Sequence, residues 1–191
     1  EVAAQEVVTA LSKLDCVNAN IEDQLQMLVI QADRSICERA EKMPDLEGMG
    51  ATLTGVVIYG GTAHWVQVGD SRLYLVRNGI TRQITKDQTM LQFLLDEGEI
   101  TELQARSHPS RHLLDQCVGQ GNCIPESGCF DVAGGDLLML SSDGLHGALD
   151  RHVLADLLRI DCRIERKARM VLDAALESGG RDNITAVLAT L

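Results

Sequence analysis

A change of hydrophobic period near residue 51 constrains the fold more than any other feature. Segments 51–59, 63–68, 72–77 and 80–84 are short, apolar and rich in β-branched residues. Gly60-Gly61 separates the first two and Asn78-Gly79 the last two. Asn-Gly is the strongest short hairpin signal, because a type I′ turn needs positive φ at both central residues. The spacing predicts four strands joined by tight turns, an antiparallel meander. Helical periods flank it. Segment 1–15 repeats Val2, Ala3, Val7, Ala10 and Leu11 on one face, and 20–42 repeats Leu25, Val29, Ala32 and Ile36, with Pro44 as its stop. Helices are expected again at 89–96, 102–107, 151–160 and 164–178. Segment 136–142 carries the continuous apolar run Leu137, Leu138, Met139, Leu140 of a buried strand, and 183–191 supplies a last strand. Strands and helices come in blocks, so the class is α+β rather than alternating βαβ.

Length and composition bound the function. The 191 residues suit a single domain spanning 1–191, with a core large enough to form without disulfides. Aromatics are 3% of the chain, so Leu, Val, Ile, Ala and Met must build that core. Against 28 Asp and Glu stand 17 Lys and Arg, a net charge of −11 that repels polyanions and excludes nucleic acid as a general partner. No apolar run reaches the roughly 18 residues of a membrane span. Cys16, Cys37, Cys117, Cys123, Cys129 and Cys162 contain no Cys-x-x-Cys pair. That disfavours zinc knuckles and thioredoxin-type sites, and it suits free thiols in a reducing cytoplasm. Cys117, Cys123 and Cys129 fall six apart, which leaves a soft-metal site there as the minor alternative because the close spacing such sites use is absent. Glu1 already lies inside an amphipathic pattern without an N-cap residue before it. The expectation is that the helix, and the domain, begin upstream.

Three acidic loops carry the chemistry. Gly69-Asp70-Ser71-Arg72 sits between two strands, Ser141-Ser142-Asp143-Gly144 ends the buried strand, and Gly180-Arg181-Asp182-Asn183 leads into the last. Asp143 stands at the C-terminal end of its strand and Asp182 before the start of its own. If those strands are antiparallel neighbours, the two carboxylates converge at one sheet edge. Such a pair repels itself unless a cation intervenes, and hard oxygen donors favour Mg²⁺ or Mn²⁺ over Zn²⁺. The competing account is that each Asp serves a turn, since Asp-Gly and Asp-Asn are common turn pairs.

The segments MGATLTGVVI (49–58), VGDSRLYLVRNG (68–79), ITKDQT (84–89), GDLLMLSSDGL (135–145) and GGRDNITAVLA (179–189) resemble, in order, those of the metal-dependent PPM/PP2C serine/threonine phosphatases, above all the compact bacterial members. VGDSR, SSDG and GRDN together are specific. The resemblance implies a four-layer α-β-β-α sandwich of two antiparallel sheets flanked by helices. It implies two Mn²⁺ or Mg²⁺ ions bridged by water, with Asp143 and Asp182 as metal ligands and Asp87 where the family has an Asp near an additional metal. It further implies direct attack of the bridged hydroxide on phosphoserine or phosphothreonine, with no phospho-enzyme. Phosphorylated proteins, the products of a cognate serine/threonine kinase, become the expected substrates. Asp70 and Arg72 are expected to be structural, Asp70 holding the turn and Arg72 pairing with a carboxylate.

The chain also departs from the family pattern. An Asp-Gly-x-Gly-Gly segment, whose Asp bridges both metals, is not found in it. Residues 1–191 alone are therefore expected to bind metal poorly and hydrolyse nothing measurable. The family's Asp four residues after the strand-end Asp is Gly147, beside His146, and the His after the Asp of ITKD is Gln88. The rival function is a non-catalytic PP2C-like binding module.

Overall fold

The structure, a computed structural model, describes residues 1–17, 20–105, 108–180 and 182–191, with Arg111 and His112 as backbone only. It divides into two compact units, Glu1–Asp70 with Asp87–Phe130, and Ser71–Lys86 with Asp131–Leu191.

The first unit holds helices α1 (Val2–Leu11) and α2 (Ile21–Lys42) and a sheet ordered β1-β2-β5, from β1 (Leu53–Tyr59), β2 (Thr62–Val68) and β5 (Glu126–Asp131). α1 ends four residues before the expected limit, and the Asp15 carboxylate instead accepts from the Val17 amide at 2.9 Å in a local turn. α2 starts at Asn20, whose side chain accepts from the Glu22 amide. It stops at Met43, which Pro44 holds extended at φ −132°. β1 and β2 pair antiparallel from Leu53↔Val68 to Tyr59↔Thr62. Along β2 the side chains alternate. Val66 and Val68 join Leu25, Val29 and Ile36 of α2 in one apolar cluster. A buried carboxylate closes this core. Asp33, 2% exposed, accepts from the amides of Gly119 (2.6 Å), Gly121 (3.1 Å) and Cys123 (3.3 Å). Short helices α3 (Met90–Asp96) and α4 (Glu102–Ala105) follow, and Thr89 caps α3 through the Gln92 amide. The last two residues of the expected 102–107 helix lie outside the described residues.

The second unit is a sheet ordered β4-β3-β6-β7, from β3 (Arg72–Arg77), β4 (Ile80–Gln83), β6 (Leu137–Ser141) and β7 (Ala186–Thr190). Its helices are α5 (Asp143–His146), α6 (Arg151–Arg159) and α7 (Ile164–Glu177). Their apolar faces, Leu145, Leu154, Leu158, Val171 and Ala175, cluster with Tyr74, Val76, Leu137 and Met139 of the sheet. The Asn78-Gly79 hairpin has φ +52° and +73°, as a type I′ turn requires. Lys167, nearly buried, donates to the Leu158 carbonyl at 2.5 Å and to the Ile160 carbonyl, satisfying the C-terminus of α6. Arg77 grips Asp136 with two bonds, at 2.9 and 2.6 Å.

The expected four-stranded meander is corrected. β1–β2 and β3–β4 are separate hairpins in different sheets. The chain changes sheet at Gly69, whose φ is +98° and where a Cβ would lie 2.5 Å from the Thr52 side chain. No L-residue with a side chain fits that turn without strain. A strand absent from the expectation, β5, completes the first sheet.

Candidate functional site

β6 and β7 are antiparallel neighbours, in register from Leu137↔Thr190 to Ser141↔Ala186. The ladder continues one step beyond the strands, where the Ser142 amide donates to the Thr185 carbonyl at 3.1 Å. The Ser142 hydroxyl then bridges the two segments, donating to the Asn183 carbonyl and accepting from the Thr185 amide, each at 3.0 Å. Asp143 follows as the first residue of α5. Asp182 lies on the opposite segment, three residues before Thr185.

Gly144 sets how closely these segments approach. A Cβ there would sit 2.5 Å from the Asn183 carbonyl oxygen and 3.4 Å from the Asp182 carbonyl carbon. Only a residue without a side chain lets the backbone after Asp143 lie against the backbone after Asp182. Each carboxylate takes one adjacent backbone amide. Asp143 Oδ1 accepts from Gly144 at 2.9 Å, and Asp182 Oδ1 accepts from Asn183 at 2.7 Å. Asp143 is half-buried and Asp182 exposed. Among the described residues no cationic side chain is paired with either.

As donors, two carboxylates at one sheet end suit a hard divalent cation such as Mg²⁺ or Mn²⁺. They make a partial ligand set. Among the described residues no third His, Cys, Asp or Glu converges with them; the one group of three is Glu22, His64 and Cys129 in the first unit. Arg181 of the GRDN motif lies outside the described residues.

The other singled-out residues fall as follows. His146 is half-buried, with Nδ1 3.0 Å from the Ser141 hydroxyl, which ties it to the strand end. Arg72 donates to the Tyr74 hydroxyl at 3.2 Å. Asp87 belongs to the first unit, in the segment leading to α3. Gln88, where the family pattern has His, acts as a staple. Its side chain accepts from the Gly69 amide at 2.8 Å and donates to the Ile124 carbonyl at 3.1 Å, while its own amide donates to the Gly69 carbonyl at 2.9 Å. Gln67 adds a bond to that carbonyl at 2.8 Å. The turn carrying Asp70 is therefore held from both sides. All six cysteines are free. Burial, reinforced by the Asp33 carboxylate, pushes the Cys123 thiol up to about 12 and raises Cys37 and Cys117 as well. These thiols are poor metal ligands.

No family model matches the chain. Individual proteins do. The chain is 38% identical over 191 residues to the serine/threonine protein phosphatase PstP of Mycobacterium tuberculosis, covering 99% of this chain and 37% of that protein. It is 32% identical over 169 residues to the serine/threonine phosphatase stp of Listeria monocytogenes, covering 88% of this chain and 67% of that one. Among solved structures, the PstP catalytic domain in complex with two manganese ions superposes with a TM-score of 0.86 at 36% identity, over 99% of this chain and 80% of that one. The chain belongs to the PPM/PP2C family of serine/threonine phosphatases. Its class is α+β, with two antiparallel sheets each carrying helices. It spans little more than a third of the length of PstP.

Proposed function

We propose that this chain belongs to the catalytic domain of a Mn²⁺- or Mg²⁺-dependent protein phosphatase that hydrolyses phosphoserine and phosphothreonine. The observation that carries the proposal is the β6–β7 register, which sets the segments bearing Asp143 and Asp182 side by side. Two manganese ions in the related PstP domain are consistent with it.

In this proposal Asp143 and Asp182 hold one ion of a pair, and Asp87 serves a further, weaker one. When bound, such ions generate a nucleophile from water at neutral pH and offset charge on the transferring phosphoryl group. The chain's own contribution is position. Ser142 locks the two segments, and Gly144 lets them approach. The single amide bond to each Asp takes up one carboxylate oxygen and leaves the other as a donor for a cation. Ser71 is not a nucleophile in this scheme. The substrates are phosphoproteins made by a cognate serine/threonine kinase. No helix among the described residues is long and apolar enough to cross a membrane. Free thiols suit a cytoplasmic site of action.

The test is hydrolysis of a phosphothreonine peptide by the full-length protein with Mn²⁺. Asp143→Asn and Asp182→Asn should each lose at least ~100-fold, about 2.7 kcal/mol of barrier, with the fold retained. Ser71→Ala should cost little. Near wild-type turnover in either Asn variant, or a covalent phosphoserine at Ser71, refutes the assignment.

A further inference from the structure

The first unit contains a convergence of side chains with no part in the phosphatase proposal. His64 precedes Val66 and Val68 in the row of β2 residues that faces α2. On the opposite face of β2, Trp65 lies across Gly128, where a Cβ would meet the indole at 2.9 Å. That contact fixes β5 against β2 and, by alternation, turns Cys129 to the same face as His64. Glu22 reaches the same point from the first turn of α2, a start fixed by the Asn20 cap. Glu22 Oε1 lies 3.0 Å from His64 Nδ1. One ligand atom from each of Glu22, His64 and Cys129 lies within 4.8 Å of the other two. Hydrogen bonds from Cys129 and His64 hold the Glu22 carboxyl below its ordinary range.

We propose that Glu22, His64 and Cys129 form a zinc site that clips the first turn of α2 to the β2–β5 pair. The donors are one oxygen, one imidazole nitrogen and one sulfur, a set that suits Zn²⁺ and disfavours Mg²⁺ and Mn²⁺. The dimensions fit. Tetrahedral zinc with bonds of ~2.0–2.3 Å places its ligand atoms ~3.3–3.6 Å apart. The Glu22–His64 pair at 3.0 Å need only open slightly, and Cys129 need close by at most about 1.2 Å from the 4.8 Å limit. Cys129 is exposed, while Glu22 and His64 are 22% and 14% exposed, so an ion can enter and water can take the fourth position. On binding, the Cys129 thiol gives its proton to solvent and the His64 proton that faces Glu22 Oε1 moves to the other ring nitrogen through solvent exchange. The Cys129 sulfur, the freed Nδ1 lone pair and a Glu22 oxygen then each form a bond to the metal. No oxidant or reductant is involved.

Cobalt reports this directly, because thiolate ligation gives a sulfur-to-cobalt charge-transfer band that oxygen sites lack. The full chain is titrated with Co²⁺ in excess Mg²⁺, which occupies hard oxygen sites. The expected result is one equivalent of Co²⁺ with the thiolate band, displaced by one equivalent of Zn²⁺. Cys129→Ser should remove the band, and Cys162→Ser should leave it unchanged. Loss of a mere outer-shell partner costs ~10–100-fold in affinity, so removing this direct ligand should weaken Zn²⁺ by at least ~100-fold in a chelator competition. Cys129 is exposed, so its variant should fold, and circular dichroism checks this. Absence of the band in the wild-type chain, or its persistence in folded Cys129→Ser, overturns the proposal.

Discussion

Replacing Gly144 by Ala tests whether close backbone approach holds the Asp143 and Asp182 segments together. The added Cβ would stand 2.5 Å from the Asn183 carbonyl oxygen and 3.0 Å from its carbon. Carbon–oxygen contacts settle near 3.3 Å, so the segments must part by about 0.8 Å. The same carbonyl accepts the Ser142 hydroxyl, so the displacement also strains that bond. Overpacking of this kind costs ~1–3 kcal/mol, and for a chain of this size each kcal/mol lowers Tm by ~2–4 °C. A misplacement of ~1 Å at a catalytic centre costs up to ~100-fold in rate. Gly144→Ala should therefore lower Tm by several degrees and kcat/KM by ~10–100-fold. Gly134→Ala is the matched control. It lies in the same unit, has ordinary φ, and offers a Cβ nothing within 4 Å. Its effect should stay within ~0.5 kcal/mol. Melting curves and steady-state hydrolysis with Mn²⁺ read both variants. Wild-type Tm and activity in Gly144→Ala would refute the reasoning.

Other expectations follow from the same structure. Asp33→Ala leaves the amides of Gly119, Gly121 and Cys123 without their acceptor and should cost ~3–5 kcal/mol in urea denaturation; a loss under ~1 kcal/mol would show that water replaces the carboxylate. Asp136 is held below the usual carboxylate range, chiefly by its hydrogen bonds from Arg77. Its stabilising contribution is complete above the ordinary Asp value of ~3.9 and is lost as pH falls through the lower folded value. Asp136→Asn should therefore flatten the acid limb of the stability–pH profile, which equilibrium unfolding between about pH 2 and 6 would reveal. In the native protein freed of metal with a chelator, at neutral pH, Cys123 should resist alkylation while exposed Cys129 reacts, as peptide mass mapping can show. Equal labelling of the two would contradict the burial assigned to Cys123.

The hairpin at Asn78-Gly79, the apolar β6 and the amphipathic α2, α6 and α7 were all legible in the sequence, because each is fixed by local pattern. The pairing of β6 with β7 was foreseeable as a condition, and with it the meeting of the Asp143 and Asp182 segments. The change of sheet at Gly69 was not. A Gly-Asp turn reads the same whether the next strand pairs back or leaves, and the deciding contacts come from Thr52, Gln67 and Gln88. β5 was hidden because Glu126–Asp131 is polar, with a Gly inside it, and its place depends on Trp65 lying across Gly128. Asp33 had no local signal either, since its partners lie 86 to 90 residues away. Separation in sequence likewise concealed Glu22, His64 and Cys129, which share no spacing motif. Their convergence is a product of helix placement and strand alternation.

The central claim is that Asp143 and Asp182 hold one ion of a metal-dependent phosphatase centre. Anomalous diffraction from Mn²⁺-soaked crystals of the active full-length protein tests it most directly. The account predicts a manganese peak within ~2.0–2.2 Å of an oxygen from each of the two carboxylates, and its loss in Asp182→Asn. Manganese bound elsewhere in active protein, with neither carboxylate in contact, would contradict it.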